Sequence, residues 1–271
     1  MTLSTIFVDW FRREPRFAGA TIIFALLALP TLVAMQLDDR MYQDIDIWVK
    51  PMKFTLSAAV YLGTLAWFAG WMKSEIRLSR RYRWLSIAVI IATVLEIAWV
   101  YGAAANGIGS HFNTSSALMG ALYTAAGIFV MVMMSAAPIY ALAITRNQRL
   151  KLDPAFRTSV VLSLYLTFGL TVVIASYLAS QPNHFVGGNL SDAEGGALFG
   201  WARDGGDLRA AHFFALHAMH FVPAFGLVAV WLLAEGKRRT TVLGFTAVYC
   251  AFTVYVFVEA LIGKPFLGGL L

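Results

Sequence analysis

Charge is scarce in this chain. Asp, Glu, Lys and Arg make up 13% of its 271 residues, about half the share found in soluble domains. That shortage excludes an ordinary water-exposed globular domain. Cysteine is scarcer still: Cys250 stands alone, so neither an internal disulfide nor a thiolate metal cluster can form. Its place inside an apolar run reads as packing. Internal repeats are missing too, which does not suit a transporter built from two inverted halves. Nor is there a cleavable-signal pattern: Asp9, Arg12, Arg13, Glu14 and Arg16 precede an apolar run longer than the ~7–15 residues of a signal core.

What is present is apolar. Hydrophobic residues reach 59%, in runs at 17–37, 53–72, 84–105, 117–144, 158–180, 208–234 and 240–262. Each is near or above the ~20 residues that cross a hydrocarbon core. The expectation is a single all-α polytopic transmembrane domain of about seven helices, with the lipid bilayer as its first partner. Before the first run, Leu3, Ile6, Phe7, Trp10 and Phe11 recur at helical spacing among polar residues, the pattern of a short interfacial helix over about 3–13.

Cation placement gives a direction. Most of the 21 Lys and Arg residues precede the first run or fall between runs two and three, four and five, and six and seven. By the positive-inside rule that side is cytoplasmic, with the N-terminus in and the C-terminus out, as in a bacterial inner-membrane protein with a periplasmic face. The pI near 9.5 then reflects topology and implies no nucleic-acid partner. The opposite loops carry Asp38, Asp39, Asp44, Asp46, Asp192, Glu194, Asp204 and Asp207. The longest, about 181–207, is glycine-rich and reads as a lid or binding loop.

All five histidines, His111, His184, His212, His217 and His220, fall in the half expected to be periplasmic. Ionisable or metal-binding side chains in a bilayer are costly, and their clustering at one depth points to a site. His217 and His220 lie about 60° apart on a helix and share a face, with His212 about 80° from His220. Pro223 follows and predicts a kink below them. Imidazole ligates zinc, copper, iron and haem iron alike, so the five are candidate ligands of a transition metal (Zn, Cu or Fe) or of haem b.

Two carboxyls sit within predicted spans, Glu96 and Glu259. Such groups normally face protein and pair with something; Lys53, Arg209 or a histidine are the candidate partners, and Glu96 can equally be kept neutral by burial. Both are candidate proton carriers. Lys50 and Lys53 share a helix face if Pro51 occupies the first turn. With Arg209, Asp207 and Asn113 they form the candidate binding set for a lipid-soluble or small anionic ligand.

Three stretches together, Trp48-x-Lys50-Pro51-x-Lys53-Phe54 with Ser57, Ser110-His111-Phe112-Asn113, and Gly206-Asp207-x-Arg209-x-x-His212-Phe213 with His217, resemble a group of uncharacterised bacterial seven-helix inner-membrane proteins. The resemblance covers most of the chain. It implies a histidine in the glycine-rich outer loop, matched by His184, and often a glutamine where His220 stands. It therefore favours His111, His184, His212 and His217 as the essential imidazoles. It implies no established activity.

Two functional expectations follow. In the first, the histidines hold a metal or haem, and the protein performs redox or other metal-assisted chemistry on a lipid-soluble substrate such as a quinone, with Glu96 or Glu259 moving protons. In the second, a transporter or small-ligand or pH sensor uses the histidines for protons and the lysines for an anion, without a metal. A subunit of a homo-oligomer or larger membrane complex is the structural alternative.

Overall fold

A computed structural model describes residues 3–196 and 199–269; Ala197 and Leu198, in the predicted long loop, lie outside the described residues. The protein is all-α, and among the described residues seven helices are long and apolar enough to cross a membrane. It divides into two compact units, Met1–Ala136 and Ala137–Leu271. The boundary falls inside the fourth span.

The first unit contains α1 (Leu3–Arg13), α2 (Pro15–Leu37), α3 (Val49–Ala69), α4 (Ser74–Arg77), α5 (Arg80–Ala105) and α6 (Ala117–Met134). Side-chain caps mark the starts of α2, α5 and α6. Glu14 accepts from the backbone N–H of Arg16 and Phe17, with Pro15 at the first position of α2; Ser79 caps α5 and Ser116 caps α6. A cap satisfies orphan N–H groups at a helix start, so helices begin in polar sequence that hydropathy passes over. Capped in this way, α2 starts at Pro15 and α5 at Arg80, ahead of apolar runs that begin at 17 and 84.

The exposed flank of α2 carries Ile23, Leu26, Leu29 and Val33. Such a face needs a non-aqueous partner, which a bilayer supplies. As expected from its spacing, α1 is a helix with Ile6, Phe7 and Val8 exposed. It is pinned to α3 by Trp10 Nε1, which donates to the Gly63 carbonyl at 3.0 Å. Arg13 adds a bond to the Trp67 carbonyl at 3.2 Å and lies 4.1 Å over the Trp67 ring.

At the opposite, acidic-loop end, a two-residue hairpin of β1 (Met41–Tyr42) and β2 (Ile45–Asp46) was not foreseen. Its turn residues Gln43 and Asp44 both have positive φ, the geometry two-residue hairpins need. The Tyr101 hydroxyl ties α2, α3 and α5 together near this end, bonding both Thr31 and Thr55.

The boundary lies at the start of α7 (Ala136–Thr145); the second unit continues with α8 (Pro154–Ser180), α9 (Leu208–Leu232) and α10 (Glu235–Leu261), closed by a 3-10 turn at Phe266–Gly269. Asp153 caps α8 and also accepts from Arg238 at 2.8 Å. Close packing of α8 on α9 depends on Gly226, where a Cβ would run into the Ser159 side chain, the small-residue contact typical of membrane helices.

The loop expected at 181–207 is not a bare lid. Its ends pair as β3 (Phe185–Val186) and β4 (Gly206–Asp207). Trp201, 4% exposed, packs into a core with Ala210, Ala211, Ala215, Val256 and Phe266. Phe199 stacks on it at 4.4 Å.

Candidate functional sites

In the first unit, three predicted residues come together where α3 begins and α5 ends. Glu96 lies on α5, about two and a half turns before the helix end at ~3.6 residues per turn, and is 3% exposed. His111, in the connection to α6, brings Nε2 to 3.3 Å from Glu96 Oε1. The approach lacks hydrogen-bond alignment: both Glu96 oxygens are buried without a hydrogen-bond partner. A native buried group left in that state calls for an explanation, an unseen water, ion or functional role among them.

The imidazole is held in place. Ser110 Oγ lies 3.0 Å from His111 Nδ1, and Trp99 Nε1 on α5 donates to the Ser110 carbonyl at 2.7 Å. If the serine hydroxyl donates to Nδ1, the ring proton sits on Nε2 and faces Glu96. Burial, with the Lys50 charge adding to it, holds the His111 imidazole well below its ordinary value, so the ring is neutral. Phe112 beside it has φ 57, a left-handed conformation that is an outlier for a bulky side chain. Such strain persists only where surrounding contacts impose it.

Lys50 lies in the first turn of α3. Its Nζ stands 5.9 Å from the Phe54 ring centre, and its charge acts on both Glu96 and His111. The His111 ring is flanked by Phe54 at 5.3 Å and Tyr123 at 5.7 Å. Lys53, predicted to act with Lys50, has an exposed side chain. Asn113 closes its own turn, donating to the Gly109 carbonyl and accepting from Ser115.

In the second unit, Arg209 gathers the long loop. Its guanidinium bonds Asp207 Oδ2 at 2.7 Å, Asp192 Oδ1 at 2.6 Å and the Gly200 carbonyl at 2.9 Å. Asp207, 1% exposed, also accepts from the backbone N–H of Ala202 and of Arg209, capping α9. His184 Nε2 lies 3.4 Å from Asp192 Oδ1. Burial lowers the His184 pKa. Burial opposes ionisation of Asp192, but the His184 contact and the Arg209 charge outweigh it and hold the carboxyl below its usual range. His184 is thus neutral beside two carboxylates and one guanidinium. The geometry makes Asp207 and Arg209 anchors of the loop.

On α9, His217 Nδ1 and His220 Nδ1 approach to 3.2 Å, as their shared face predicts. That is the spacing of two imidazoles sharing one proton. Phe213 packs on His217 at 4.2 Å, and His212 lies half-buried on the same helix. Glu259 on α10 accepts from the Tyr255 hydroxyl one turn earlier. Among the described residues, no group of three or more His, Cys, Asp and Glu side chains stands together as a metal ion would need.

Sequence reasoning gave no site role to Ser110, Trp99 and Tyr123, which orient or flank His111, or to Asp192, one acid among several in its loop. Ser110 did stand in the stretch Ser110-His111-Phe112-Asn113, and Trp99 falls about one turn after Glu96 on the same helix. A scan against protein-family models and searches of curated proteins and of solved structures find no match for this chain.

Proposed function

We propose that this multi-pass membrane protein binds a proton at Glu96 and His111 and couples it to recognition of a small ligand from the periplasmic side of a bacterial inner membrane. That is the chemistry of a proton-linked transporter or sensor. One observation carries the reading: a carboxyl buried within a membrane-spanning helix, with both oxygens lacking hydrogen-bond partners, 3.3 Å from a neutral imidazole. An unsatisfied buried polar group costs about 1–3 kcal/mol, and intramembrane carboxyls with nearby imidazoles are the usual parts of proton relays. The reading needs neither a metal nor haem.

Difference infrared spectroscopy of the purified protein tests it. A protonated-carboxyl band should rise and fall with pH in the wild type and vanish in Glu96→Gln. His111→Gln should shift the pH at which the band changes. A spectrum without a titrating buried carboxyl, or one indifferent to Glu96→Gln, overturns the reading.

A further inference from the structure

The proton site has neighbours that define what would sit against it. Lys50 supplies a fixed positive charge whose field covers both Glu96 and His111. Phe54, His111, Phe112 and Tyr123 form a run of rings, with Phe112 and Tyr123 5.7 Å apart. All four are only partly buried, so ring surface remains for an apolar body. The strained backbone of Phe112 fixes that ring beside the imidazole. The Glu96 carboxyl, 3% exposed and lacking hydrogen bonds at either oxygen, lies 3.3 Å from the imidazole that these rings flank.

Charge bookkeeping narrows the ligand. With Glu96 ionised, an anion entering this low-dielectric setting would meet a like charge at the buried carboxyl, which is costly. Uptake of one proton by Glu96 removes that repulsion and turns the carboxyl into a donor for the incoming oxygen. A neutral ligand gains nothing from Lys50, and a cation meets repulsion there. A strongly hydrated inorganic anion leaves the rings unused. An apolar carboxylate uses every part.

We infer that Lys50, Glu96 and the ring wall of Phe54, Phe112 and Tyr123 form a binding site for an apolar monocarboxylate, taken up together with one proton. The inference rests on the proton-binding reading above.

Calorimetry on the full-length protein in detergent, with sodium benzoate as probe, tests it. Titrations in buffers of different ionisation enthalpy should show about one proton taken up per benzoate, and affinity should fall about tenfold per pH unit on the alkaline side. Inorganic phosphate and methyl benzoate should fail to compete. Lys50→Gln should weaken binding at least tenfold, with Lys50→Arg recovering most of it. Glu96→Gln should bind without proton uptake and with an affinity indifferent to pH; size-exclusion profiles check that each variant is folded. Absent benzoate binding, binding without a proton, or equal displacement by phosphate overturns the inference. If the Glu96 infrared band still titrates in that case, only the ligand class has failed; if the band is missing too, the proton site itself falls.

Discussion

Arg209 holds Asp192 at 2.6 Å across seventeen residues of chain. Through this contact the first turn of α9 controls the long loop before it, because the same guanidinium also binds Asp207 and the Gly200 carbonyl. The Arg209 side chain keeps 27% exposure while its carboxylate partners keep 5% or less.

Arg209→Ala should therefore be the most damaging single change in this unit. Removing one partner of a buried ion pair costs about 3–5 kcal/mol, because the remaining charge stays buried and uncompensated. Residual solvent contact at Arg209 puts the expected loss near the lower figure. Thermal unfolding in detergent should register the drop, and hydrogen exchange should speed up in peptides from 183 to 207. Unchanged exchange there would mean that the guanidinium does not anchor the loop.

Acid should loosen the same loop. The folded pKa of His184 is lowered from 6.5, so the anchored form resists a proton that the released form accepts. Above about 6.5 both forms are neutral and the imidazole contributes no penalty. As pH falls from there through the folded value, the anchored form loses stability. Asp192 acts in the same direction further down: its contribution is present above the unfolded carboxylate pKa of 3.8 and is lost as pH falls through its lower folded value. Exchange of the 183–207 peptides, corrected for intrinsic rates, should rise between pH about 7 and about 5, the range in which histidine titrates. His184→Gln should flatten that rise; a wild-type loop whose protection ignores pH would contradict the assignment.

Trp201 tests the aromatic side of the anchor. It is 4% exposed and stacks on Phe199, with Phe213 at 5.6 Å and Phe266 at 5.1 Å. Trp201→Ala should cost about 3–5 kcal/mol, read as a lower unfolding temperature in detergent. An unchanged unfolding temperature would contradict its place in that core.

Metal content is the sharpest check on the proton reading against a redox one. Elemental analysis and an absorption spectrum of the purified protein should show sub-stoichiometric Zn, Cu and Fe and no Soret band, unchanged by His217→Ala with His220→Ala. A stoichiometric metal lost in that double variant would restore a metal centre.

Seven spans can be read from the chain because each requires only a long apolar run, a property of local composition. Helix starts cannot, since Glu14, Ser79 and Asp153 cap helices from within polar flanks. The sequence does not say what stands beside Glu96; that His111 approaches it depends on how the connection after α5 turns back, where Trp99 bonds the Ser110 carbonyl and Phe112 takes a positive φ. The angle between His217 and His220 follows from helix geometry alone. A meeting of all five imidazoles does not, because spacing along one helix says nothing of what other elements bring to it. Asp192 looks like Glu194 or Asp204 in the sequence, and only its contact with Arg209 separates them.

The cap and cation that gather the long loop, Asp207 and Arg209, follow it in the chain. A nascent polypeptide that has emerged only as far as Gly206 holds His184 and Asp192 with nothing to fasten them. The segment can settle only after the next transmembrane helix has begun to form, which makes it one of the last parts of this protein to mature during biogenesis.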